Sequence, residues 1–153
     1  MNFSMREVIE QAIQTEKLGN EFYKKMSSRF ESDLKLKKLF DTLAAKEMEH
    51  EEKFTGLKDK LGEEPVDNWD EAALYMRAIV ESEFFLDSSK SLPSLEHLKD
   101  IDNAVKFAIG FEKETLLYFY GLRDVVKDHD VINDIIEEEK SHLRWLSDFR
   151  KEL

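Results

Sequence analysis

Along most of this 153-residue chain, apolar side chains recur three and four positions apart, and the breakers that would interrupt them number only 5 Gly and 2 Pro. A 3.6-residue period sustained at that length commits the backbone to long amphipathic helices and leaves little room for a sheet. The first run carries Val8, Ile9, Ala12, Ile13, Leu18, Phe22, Tyr23, Met26 and Phe30, and Ser4 with Glu7 has capping-box spacing, so a helix is predicted over about 5–30. After Glu31-Ser32-Asp33, where Ser32 or Asp33 can cap, a second run from Leu34 to Leu61 predicts a helix ending at Gly62, before Pro65. A third long helix is read from near Ile101 to about Lys127, and a fourth over about 131–150, after the Lys127-Asp128-His129-Asp130 break. The two hairpins are joined by roughly 40 residues, long enough to return the chain to the other end of a bundle. Asn68 and Glu71 at cap spacing, followed by an apolar run, predict a short additional helix over about 69–86 inside that crossover.

The hairpins are related copies. Ala12-Ile13-Gln14-Thr15-Glu16-Lys17 matches Ala108-Ile109-Gly110-Phe111-Glu112-Lys113 at four of six positions, and each stretch leads to an aromatic pair, Phe22-Tyr23 or Phe119-Tyr120. The second helices correspond through Glu47-Met48-Glu49-His50 and Glu139-Lys140-Ser141-His142. Each copy therefore holds one Glu in the apolar stripe of its first helix and one Glu-x-x-His in its second. Residues three apart lie on one helix face, so the Glu and His of each pair can serve one metal site.

Level positions in an antiparallel hairpin are equidistant from its turn. The midpoint between Glu16 and the Glu47/His50 pair falls at about residue 32, in the first break, and that between Glu112 and the Glu139/His142 pair at about residue 126, beside the second. Pairing the hairpins thus predicts four carboxylates and two imidazoles in one layer. Carboxylates buried together repel and lose hydration, and two divalent cations would neutralise four of them. Carboxylate with imidazole suits iron, manganese or zinc.

Glu16, Glu47, His50, Glu112, Glu139 and His142 resemble the six-ligand site of the ferritin-like di-iron carboxylate proteins, and the paths from Glu16 to Phe22-Tyr23 and from Glu112 to Phe119-Tyr120 resemble the rubrerythrin branch. The resemblance spans all four long helices. It implies an all-α, ferritin-like four-helix bundle over residues 1–153 as one domain, holding two iron ions, with manganese or zinc as possible substitutes. It further implies Glu16 with His50 as terminal ligands of one ion, Glu112 with His142 of the other, and Glu47 and Glu139 as bridges. Two departures stand out. The chain has no Cys, so it lacks the Cys-ligated rubredoxin-like iron of rubrerythrins proper and needs another electron donor, as yet unidentified. It also has Thr115 where those proteins place an additional Glu, while Glu114 faces away, which predicts a symmetric six-ligand site.

Tyr23 and Tyr120 are candidate hydrogen-bond donors to metal-bound carboxylates, with plain core packing as the alternative. His97 and His129 are read as solvent-exposed, and Glu49, Glu51, Glu52, Glu137 and Glu138 as solvated faces. Trp69, Met76, Phe84 and Phe85 are expected to cover the bundle or a partner copy, and a homodimer is predicted.

With 34 acidic against 23 basic residues, the net charge of -11 disfavours nucleic acid. The absence of Cys excludes disulfides, thiolate zinc and thiol catalysis. Neither an 18-residue apolar run nor a basic-then-apolar leader is present, so no membrane association is expected and the cytoplasm is the expected location. The leading functional expectation is a di-iron oxidoreductase reacting with peroxide or dioxygen. The alternatives are iron handling, as a ferroxidase for storage or detoxification, and a non-catalytic metal-binding module.

Overall fold

The computed structural model describes residues 5–61, 71, 74–75, 95–126 and 129–153. Four long helices make up the bundle: α1 (Met5–Arg29), α2 (Leu34–Lys60), α3 (Ile101–Val125) and α4 (His129–Lys151). The expected limits hold to within a few residues. Asp33 is the cap of α2, its side chain accepting from the Leu36 N–H at 3.1 Å, and Asp100 caps α3 through the Asn103 N–H at 2.8 Å. The Ser4 cap and nearly all of the expected short helix over 69–86, with Trp69, Met76, Phe84 and Phe85, lie outside the described residues; Glu71, Leu74 and Tyr75 within that span are helical.

Helix α1 packs along α2, and α3 along α4; across the bundle α1 meets α3, and α2 meets α4. Tyr118 donates to the Val8 carbonyl at 2.9 Å, while the Phe22 and Phe107 rings stand 5.2 Å apart. An early α1 residue thus meets a late α3 residue and the reverse, so α1 and α3 are antiparallel. The end of α2 and the start of α3 consequently lie at opposite ends of the bundle, as the length of the crossover requires. At the far end, the Arg29 guanidinium binds the Leu95 and Leu98 carbonyls at 2.6 and 3.0 Å, tying the last part of the crossover to α1.

Among the described residues the interior comprises two apolar cores. One gathers Phe22, Tyr23, Met26, Phe40, Leu43 and Leu146 with their neighbours; the other gathers Ile9, Ile13, Phe54, Phe119, Ile132 and Ile136. Between them, at mid-height, lies a belt of fully buried polar side chains. No helix among the described residues is long and apolar enough to cross a membrane.

Candidate metal centre

All six predicted ligands reach that belt, each at 0% relative exposure. They form two overlapping quartets, Glu16, Glu47, His50 and Glu139, and Glu47, Glu112, Glu139 and His142. Within each quartet, one ligand atom per residue lies within 4.8 Å of all the others. Glu47 and Glu139 belong to both quartets; Glu16 with His50, and Glu112 with His142, belong to one each. His50 Nδ1 is 2.8 Å from Glu139 Oε1 and 3.7 Å from Glu16 Oε1. His142 Nδ1 is 3.4 Å from Glu139 Oε2, 3.5 Å from Glu47 Oε1 and 3.8 Å from Glu112 Oε1. The imidazoles lie nearly parallel, 5.7 Å apart.

Among the described residues, both oxygens of Glu16 and of Glu47, one of Glu112 and one of Glu139 lack any hydrogen-bond donor. Buried acceptors without donors cost free energy unless a proton or a cation meets them. The electrostatics show the same demand. Burial, then the neighbouring carboxylates, push the Glu16, Glu47 and Glu112 carboxyls well above the usual range. Burial pushes Glu139 up as well, but the imidazoles beside it, His50 at 2.8 Å and His142 at 3.4 Å, outweigh burial and hold this carboxyl low. Burial alone would lower both imidazoles; the Glu139 carboxylate beside them outweighs it and raises each to about 9. Such a layer calls for positive charge, as protons or as cations. All-oxygen-and-nitrogen donors with two shared carboxylates fit a pair of divalent ions of the iron, manganese or zinc kind.

The surroundings of the layer differ in part from the sequence expectations. Tyr23 is fully buried and donates to Glu112 Oε1 at 2.6 Å, as expected. Tyr120 does not reach the layer: it is half-buried, its ring beside Arg123 at 4.9 Å and Lys140 at 5.6 Å. The buried tyrosine of α3 is Tyr118, which is committed to the Val8 carbonyl. Glu138 is partly exposed but is more than a solvated surface charge. Its carboxylate accepts from His50 Nε2 at 2.5 Å and stands 3.5 Å from the Lys53 ammonium. Gly19 stands out by no motif, yet a Cβ there would lie 2.9 Å from Glu47 Oε2 and 2.9 Å from the Phe111 ring. Thr115 is fully buried, Glu114 is half-buried and in neither quartet, and His97 and His129 are exposed as expected.

The rubrerythrin family model matches residues 7–150. This chain belongs to the rubrerythrin family. A crystal structure from Thermotoga maritima, of a protein assigned provisionally to the ferritin-like diiron-carboxylate proteins, is similar at 27% identity and a TM-score of 0.72, covering 99% of this chain and 97% of that one. Comparison with curated proteins returns no match. Within this rubrerythrin fold, the six side chains form two overlapping quartets of the kind a di-metal centre needs.

Proposed function

We propose that the chain is a non-haem di-iron oxidoreductase that reacts with peroxide or dioxygen at its Glu4His2 layer. The observation that carries this reading is the sharing of Glu47 and Glu139 by two ligand quartets, which suits two neighbouring cations rather than one. A bound pair of irons would supply Lewis acidity and a two-electron store. The protein's own contribution is to bury the pair between two apolar cores, hold His50 and His142 with Nδ1 inward, and steady Glu112 through the Tyr23 hydroxyl. The Glu47 oxygens, without a hydrogen-bond donor among the described residues, would be available to hold both ions. These 153 residues hold no thiolate, so a Cys-ligated iron among them is not the source of electrons.

The test is anaerobic loading with Fe(II), then rapid mixing with peroxide and, separately, with dioxygen while the absorption spectrum is followed. Oxidation with at least one oxidant is expected, and its loss in Glu47→Ala and His142→Ala. Unchanged oxidation and full metal content in both variants would contradict the assignment. A homodimer is expected on a sizing column, whereas a very large shell-like particle would favour iron storage.

A further inference from the structure

The duplicated hairpins make the six ligands nearly symmetric, but their supporting residues are not. The correspondence that carries Glu47 onto Glu139 and His50 onto His142 also carries Lys46 onto Glu138 and Lys53 onto Trp145. On one side, His50 Nε2 donates to Glu138 at 2.5 Å, and Lys53 stands 3.5 Å from that carboxylate. On the other, His142 Nε2 is buried with no hydrogen-bond partner among the described residues, and the Trp145 ring lies 5.5 Å from the imidazole. The site corresponding to Glu138 holds Lys46, a cation, whose ammonium is 3.4 Å from Glu49. The terminal carboxylates differ in the same sense. Glu112 gives one oxygen to the Tyr23 hydroxyl at 2.6 Å, whereas both Glu16 oxygens lack any donor.

We propose that the two metal positions are inequivalent, and that the position served by Glu16 and His50 is electron-rich and takes a divalent cation first, with Glu138 as its positioning residue. A carboxylate accepting the outer N–H of a ligating imidazole fixes the tautomer, orients the ring and raises the basicity of the nitrogen that faces the metal. A charged acceptor does this more strongly than a neutral one. Glu138 acts through its bond to His50, with its own charge offset in part by Lys53 at 3.5 Å, while Tyr23 withdraws density from the other position. The inference rests on the di-metal reading.

The experiment is a titration of metal-free, full-length protein with cobalt(II) without oxygen, read by calorimetry and by visible cobalt absorption. The wild type should bind two ions in separated events, the first about 10- to 100-fold tighter. Glu138→Gln preserves shape and removes the charge, and should weaken the first event about 10- to 100-fold while leaving the second in place. Its far-UV circular dichroism should be that of the wild type. Independently of that variant, His142→Ala should keep the tighter event and His50→Ala should lose it. Two indistinguishable events in the wild type, a Glu138→Gln titration unchanged or weakened equally in both events, or the reverse pattern in the histidine variants would overturn the proposal. If the wild type bound no cobalt at all, the di-metal reading would fail, and this one with it. Equal binding of two ions would overturn this proposal alone.

Discussion

Gly19 sits in mid-helix, where glycine is about 1 kcal/mol less favourable than alanine, so its presence there needs a packing reason. That reason is the space for the Glu47 carboxylate and the Phe111 ring, each 2.9 Å from where a Cβ would stand. Gly19→Ala should therefore displace Glu47 and cost about 1–3 kcal/mol of overpacking, outweighing its gain in helix propensity. Metal analysis is expected to show reduced metal per chain with helix content retained; full metal content would contradict this account of Gly19. The two tyrosines show where residue-level reading succeeds and fails. Tyr23 lies seven residues after Glu16, two turns on and close to the same face, but Tyr120 lies eight after Glu112 and is turned about 100° further. Phe119, with no hydroxyl, is the residue seven on from Glu112. That one-residue offset is legible in the sequence and separates the two roles. Glu138 is different: inside Glu137-Glu138-Glu139 nothing local distinguishes it, and only the approach of His50 from α2 does.

At the scale of elements, turn position decided most of the outcome. The Glu31-Ser32-Asp33 break set the register of α1 against α2, and therefore brought Glu16 level with Glu47 and His50. Helix ends were legible because capping chemistry is local: Asp33 has a short side chain that can satisfy an N–H left over at the start of α2. The pairing of one hairpin with the other was legible only through the duplication, since contacts between α2 and α4 leave no mark in local periodicity. Asp33→Ala should lower global stability by about 1 kcal/mol, because the Leu36 N–H loses its acceptor. The metal-to-protein ratio should be unchanged, because the cap lies at the end of α2 and the ligands at its middle. Denaturant unfolding at fixed metal concentration checks the first expectation. An unaltered midpoint would show that the cap is immaterial.

At the scale of the whole molecule, the acidity of the chain has two parts: solvated surface charge, and a buried layer of four carboxylates that calls for protons or cations to neutralise it. Glu16, Glu47 and Glu112 are raised well above the ordinary carboxyl range, and His50 and His142 to about 9. A group whose folded pKa is raised stabilises fully below its unfolded pKa and loses that contribution as pH climbs toward the folded value. Glu139 is shifted downward, but its contribution is already complete above the unfolded carboxyl pKa and adds no slope at higher pH. Metal-free protein should therefore become less stable between about pH 5 and about pH 9, at about 1.4 kcal/mol per pH unit for each proton retained. Urea midpoints of chelator-treated protein measure this, and a midpoint rising across that interval would contradict the buried-proton account. The stabilisation conferred by metal should grow over the same interval, because the ligands bind only when deprotonated.

The most direct test of the central claim is the number of metal ions held per chain by the wild type and by Glu47→Ala. Anaerobic Fe(II) titration of the metal-free wild type should saturate at two ions per chain, and loss of the shared carboxylate should weaken both positions together. Saturation at a single ion, or two ions held with undiminished affinity by Glu47→Ala, would contradict a shared di-metal centre.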